Sequence, residues 1–228
     1  SRVGVHCFMN RGPFIFLGVF IILSLTWALV INKPIQESGH LSPIFDAEQG
    51  GRLPMNAKGG AAQGKLVYQE FGCIACHTQQ VRVSSGFDLQ RGWGERQSVA
   101  RDYIDQTPAL IGNTRLGPDL SNVGQRRSDR EWHLLHFYNP QITSKGSNMP
   151  SMPFLFETRE IVGEPTNRAL KLSAEYAVAD GYEVIPSRKA EALVAYMKSL
   201  KVTYDLKEAP KSNDVMLEEL TAALENAK

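Results

Sequence analysis

Two cysteines two residues apart, followed at once by a histidine, constrain this chain more than any other feature: Cys73-Ile74-Ala75-Cys76-His77. A chain with this spacing attaches haem covalently, the two thiols forming thioether bonds to the porphyrin while the adjacent imidazole binds the iron. A zinc site would need further thiolates or imidazoles to close a tetrahedron, and no cysteine follows Cys76. A dithiol redox pair would need a βαβ setting. Here the residues before the motif, Ala61 to Phe71, carry Leu66, Val67 and Phe71 at helical spacing. The expectation is one covalently bound haem c, held by Cys73, Cys76 and His77.

A second constraint lies near the start. From Phe14 to Ile31 the chain is uncharged and almost wholly apolar, between Arg11 and Lys33. At about 1.5 Å per residue, and with a neighbour or two at each end, this stretch covers the ~30 Å hydrocarbon core, so it predicts a transmembrane helix. It runs into Asn32-Lys33-Pro34 without a small-x-small cleavage site, which favours an uncleaved anchor over a signal peptide. Haem attachment to cysteines takes place, in bacteria, outside the cytoplasmic membrane. A single-pass protein of the inner membrane with a periplasmic haem domain follows. The formal net charge of +1 offers nothing to a nucleic acid. With Cys73 and Cys76 taken by haem, Cys7 stands alone and no disulfide framework is available.

Residues 34–60 gather Pro34, Gly50, Gly51, Pro54, Gly59 and Gly60 and read as a linker. Ser187 to Leu200 places Ala190, Leu193, Val194, Met197 and Leu200 on one helical face, with Ser187 as N-cap. This helix and Ala61 to Phe71 have to bury their apolar stripes against each other, which predicts an all-α domain. Asp129 to Tyr138 reads as a further helix, and Asn167 to Tyr176 is helix-compatible. Another short helix, from Asp214 to Asn226, closes a charged tail. The expected organisation is an anchor within residues 1–33, a linker over 34–60, a mono-haem domain over 61–200 and the tail over 201–228.

Between Val81 and Leu116 the chain is rich in aromatic and basic residues, including Arg91, Trp93, Arg96, Arg101, Tyr103 and Arg115. A buried haem propionate needs cationic donors, and Arg115 is the candidate. The others are expected as solvated or interface charges. An iron-bound histidine donates its second ring N–H to a carbonyl, and Pro118 in Gly117-Pro118-Asp119-Leu120 is placed to supply one. For the sixth ligand, His133 and His136 are available in principle. Met149 and Met152, in Gly146-Ser147-Asn148-Met149-Pro150-Ser151-Met152-Pro153, are stronger candidates, because a thioether paired with histidine raises the haem potential.

These motifs, in this order, resemble the membrane-anchored mono-haem cytochrome c subunit (FixO/CcoO type) of cbb(3)-type haem-copper oxidases. The resemblance rests on Gly72-Cys73 through Gln80-Val81-Arg82, and on Arg115-Leu116-Gly117-Pro118-Asp119-Leu120. It continues through Glu131-Trp132-His133 with His136 and Tyr138-Asn139-Pro140, to Gly146-Ser147 with Met149-Pro150 and Pro153. It implies a class I cytochrome c-like domain with long insertions, Met149 as the axial methionine and Pro118 as the carbonyl beside His77. It also implies an electron-transfer subunit of cytochrome c oxidase that does not itself reduce oxygen. Its partners would be a catalytic haem-copper subunit, a di-haem cytochrome c subunit, a donor cytochrome and membrane lipid. An equivalent subunit of a nitric oxide reductase and a free-standing anchored carrier are the alternatives. Val83 stands where the family usually has proline, and the segment after Lys201 reads as an addition to it.

Overall fold

The computed structural model describes residues 11–46, 51–82, 87–211 and 224–225. Cys7, Val83 and all but two residues of the expected terminal helix lie outside them. The chain divides into two compact units, Ser1–Ile44 and Phe45–Lys228.

In the first unit Gly12 to Ser38 is one helical run: Gly12–Thr26 (α1), a wider π turn over Trp27–Asn32, and Lys33–Ser38 (α2). Pro34 has no N–H to donate to the carbonyl four residues back, and the ladder widens just before it. The run therefore continues past the expected end at Ile31. Its apolar window has a mean hydropathy of 2.7 and none of it is buried. The run fits a transmembrane anchor.

The second unit is built on two crossed helices, Gly60–Glu70 (α3) and Arg188–Ser199 (α8). They cross at Gly64, where a Cβ would lie 1.9 Å from the carbonyl oxygen of Ala192. Only glycine lets the two backbones approach this closely. Beside the crossing, Tyr68 and Tyr196 meet edge to face with ring centroids 5.5 Å apart. Ser187 caps α8, its hydroxyl accepting from the Ala190 N–H. Leu193, Val194 and Met197 are buried on its inner face as the periodicity predicts. Arg130–Tyr138 (α6) packs on α8 and adds Leu134 and Phe137 to the core. Asp129 caps it, accepting from the N–H groups of Glu131 and Trp132. Shorter α-helices lie between α3 and α8 in the chain: Phe87–Gln90 (α4), Val123–Arg126 (α5) and Pro140–Thr143 (α7).

The expectation of an all-α domain needs correction, because two small sheets are present. Ile44–Asp46 (β1) pairs with Gly51–Leu53 (β2). Phe156–Glu160 (β3) pairs antiparallel with Tyr182–Pro186 (β4), with Thr158 opposite Val184. β4 is buried along most of its length while β3 is largely exposed, so neither strand has the alternation that would announce it. Asn167 to Tyr176 is not helical either: the Leu170 N–H donates to the Val184 carbonyl (2.8 Å), which ties this stretch to β4.

Two segments read as appendages also pack. Leu53 is fully buried and Arg52 pairs with Asp105 at 2.8 Å. Beyond α8, Tyr204, Leu206 and Ala209 are buried. They are held by Arg96, which is buried rather than solvated. Arg96 donates from Nε to the Tyr204 carbonyl (2.8 Å) and from both Nη atoms to Asp102 (2.9 and 2.7 Å).

Candidate haem site

The haem motif begins where α3 ends. Cys73–Ala75 forms a single 3₁₀ turn, and the N–H groups of Cys76 and His77 both return to the Cys73 carbonyl (3.2 and 3.1 Å). This turn places two half-buried free thiols and the imidazole on one short loop. Burial pushes the Cys73 thiol up to about 11, so it stays protonated at neutral pH.

The His77 ring is held on two sides. Its Nδ1 lies 2.8 Å from the Pro118 carbonyl oxygen. A carbonyl only accepts, so Nδ1 carries the proton and the Nε2 lone pair is left for a metal. Burial lowers the His77 pKa, with the Pro118 bond and the Asp119 charge working against it. The net shift is downward from 6.5, so the ring is neutral at pH 7. Gly117 lies against the ring: a Cβ there would fall 2.3 Å from Cε1 and 2.8 Å from Nδ1. The Gly117 N–H donates to the Cys76 carbonyl (3.0 Å), closing the turn onto the motif.

Asp119, which sequence reasoning passed over, is fully buried and binds these two segments together. One carboxylate oxygen accepts from the Thr78 hydroxyl (2.6 Å) and the Gln80 N–H (2.7 Å), the other from the Ser121 N–H (2.8 Å). A short acidic side chain after a Gly-Pro turn reads as an ordinary turn residue. Only the approach of residues 78–80 from elsewhere in the chain reveals its role.

Arg115 is placed differently from the expectation. Its Nε donates to Thr78 Oγ1 (2.8 Å), Nη1 and Nη2 grip the Asp88 carboxylate (2.7 and 2.8 Å), and Nη2 also donates to the Gln80 carbonyl (2.6 Å). Four of its donor contacts are spent on protein acceptors, so it clamps the loop and has little left for a propionate. Arg126 also reaches this turn. Its Nη2 donates to the Asp119 carbonyl, but its Nε is buried with no acceptor among the described residues. Burial holds its guanidinium below the ordinary arginine range, an effect the Asp119 carboxylate opposes.

The two methionines separate by burial. Met152 is 7% exposed within the apolar core, and its N–H donates to the Phe137 carbonyl (2.9 Å). Met149 is half-buried at the edge of that core. His133 is a core residue, its Nε2 2.8 Å from the Arg127 carbonyl. His136 stacks on Trp132, with ring centroids 4.7 Å apart, and bonds Thr143 Oγ1 through Nδ1 (2.5 Å).

Haem fits this set on three grounds: free thiols at attachment spacing, a neutral imidazole with Nε2 available, and a buried arginine N–H without a partner. Among the described residues, no three or more His, Cys, Asp or Glu gather as a zinc site would require. The attachment spacing, the neutral imidazole and the apolar helical run fit a haem-binding protein with a membrane anchor. Residues 60–224 match the family described as cytochrome C oxidase, mono-heme subunit/FixO, and the chain belongs to that family. The match runs past Lys201, so the segment read as an addition is part of the family pattern. No curated protein matches the chain.

Proposed function

We propose that this chain is the anchored electron-relay subunit of a cbb(3)-type haem-copper oxidase, its haem domain on the periplasmic side of the bacterial inner membrane. The observation that carries the reading is the His77 ring, oriented by Pro118 and Gly117 on the loop that also holds Cys73 and Cys76. When bound, haem supplies a one-electron Fe(II)/Fe(III) couple. Cys73 and Cys76 would hold it covalently, and His77 Nε2 and the Met149 thioether would be the ligands offered to its iron. Filling both suits electron transfer rather than oxygen binding. Oxygen chemistry then falls to the haem-copper partner, with a di-haem cytochrome c subunit or a donor cytochrome delivering electrons.

The test is to extract the full chain from membranes in mild detergent. It should arrive with a haem-copper subunit, consume oxygen, and keep its haem through denaturing electrophoresis. A chain that arrives alone and consumes no gas overturns the subunit reading in favour of a carrier. A complex that consumes nitric oxide but not oxygen selects the reductase.

Arg126 enters the same reading as the cation opposite a propionate, in place of Arg115. Removing a positive charge near the iron stabilises the ferric form. Arg126→Gln should therefore lower the midpoint potential by about 60 mV, a tenfold change for one electron. Redox titration of the haem-loaded chain measures this. An unchanged potential would remove Arg126 from the site.

A further inference from the structure

The structure assigns Gln141 a positioning role: its side-chain amide braces the loop that presents Met149. This rests on the reading of Met149 as an axial ligand. Gln141 lies in α7 with an exposed side chain, yet that side chain turns back onto the protein. Its Oε1 accepts from the Gly146 N–H (2.7 Å) and its Nε2 donates to the Ser147 carbonyl (2.5 Å). The residue is itself oriented from behind. Asn139 caps α7, its Oδ1 accepting from the Gln141 N–H (3.0 Å), and the intervening Pro140 is fully buried.

The loop needs such a brace. Gly146 takes a left-handed turn with φ 82°, and residues 146–151 are exposed or half-buried. The Met149 N–H bonds only locally, to Ser147 Oγ (3.2 Å). The next tie to the rest of the domain is the Met152 N–H on the Phe137 carbonyl (2.9 Å). Gln141 therefore fixes one end of the Met149 segment and Met152 the other. A primary amide is the group the site requires, since one end has to accept and the other to donate. A carboxylate would keep the Gly146 bond but set a negative charge against the Ser147 carbonyl, and an alkyl group would keep neither.

A thioether is a neutral, weak ligand, so its hold on the iron depends on how far the loop is organised beforehand. The full chain carrying its haem, in detergent, is titrated with imidazole as the competing sixth ligand. Gln141→Ala should bind imidazole about tenfold more tightly than the natural chain, the effect expected when two backbone-directed hydrogen bonds are lost. It should also lose the methionine-to-iron charge-transfer absorption about one pH unit lower on alkaline titration. Gln141→Glu should fall between the two, and the melting temperature of the haem-loaded Gln141→Ala chain should fall by only a few degrees, about what a tenfold weakening gives a chain of this size. Equal imidazole affinity in Gln141→Ala and the natural chain overturns the brace. So does a fall in melting temperature well beyond those few degrees, which would mark a general loss of structure.

The ligand reading is tested separately with Met149→Ala and Met152→Leu. Loss of the absorption in the first and its survival in the second supports Met149. The opposite pattern overturns Met149 as ligand and, with it, the brace as a device for that residue.

Discussion

Replacing Asp102 by alanine is expected to destabilise the second unit by about 3–5 kcal/mol, the cost of leaving a buried charge without its partner. The Arg96 and Asp102 side chains are 1% and 4% exposed, so solvent does not screen the pair. Asp102 accepts both Arg96 Nη donors, the Val99 N–H (2.9 Å) and the Tyr204 hydroxyl (2.8 Å). Alanine removes all four acceptor contacts at once. Arg96 keeps only the Tyr204 and Gln97 carbonyls, which carry no net charge. Urea denaturation of the haem-loaded chain should show a lower midpoint with an unchanged slope. The double variant Arg96→Met with Asp102→Leu should recover much of the loss, because an apolar pair of similar volume needs no desolvation of charge. A loss below about 1 kcal/mol in Asp102→Ala would mean that the pair is hydrated and does not hold the segment after α8 in place.

Gly117→Ala should damage the haem site while leaving the helical core intact. The new methyl group would lie 2.3 Å from His77 Cε1, and the glycine has an ordinary backbone conformation, so the effect is steric. The ring is pinned to the Pro118 carbonyl and Gly117 to the Cys76 carbonyl, so neither yields without breaking a hydrogen bond. Overpacking of this kind costs about 1–3 kcal/mol, roughly a fivefold to 150-fold weakening of the His77 position. The optical spectrum of the haem-loaded variant should show a high-spin fraction that is absent from the natural chain, while far-ultraviolet circular dichroism stays unchanged. A fully low-spin spectrum in Gly117→Ala would mean that the loop relaxes freely and that the glycine does not position the ring.

Both predictions rest on residues whose importance is not local. The Cys73-Ile74-Ala75-Cys76-His77 spacing, a helix over Phe14 to Ile31 and the Ser187-capped α8 are legible from sequence because the determining interactions are local. They are set by attachment spacing, by unbroken apolarity and by a cap within three residues of its partner. The meeting of His77 Nδ1 with the Pro118 carbonyl was also legible, since a Gly-Pro turn offers an exposed carbonyl.

The opposite holds for Arg96, Arg115 and Arg126. All three are arginines in irregular segments, and composition does not separate them. Arg96 is buried because Asp102 and Tyr204 reach it, the latter 108 residues away. Arg115 is consumed because Asp88 and Thr78 converge on it from 27 and 37 residues away. Arg126 keeps a free buried N–H because no acceptor among the described residues arrives there. The β3–β4 pairing was hidden for a related reason: the core that buries β4 belongs to other parts of the chain.

What is readable without the fold is the Cys73-Ile74-Ala75-Cys76-His77 spacing and the apolar run before it, because each depends on a few consecutive residues or on one apolar stretch. Folding is what separates Arg96, Arg115 and Arg126 by their partners, sets how closely Gly64 and Gly117 allow their neighbours to approach, and brings the Gln141 amide onto Gly146 and Ser147. Those outcomes depend on what distant segments bring to the same place, and burial in a low-dielectric interior turns each such meeting into a strong interaction or a costly absence.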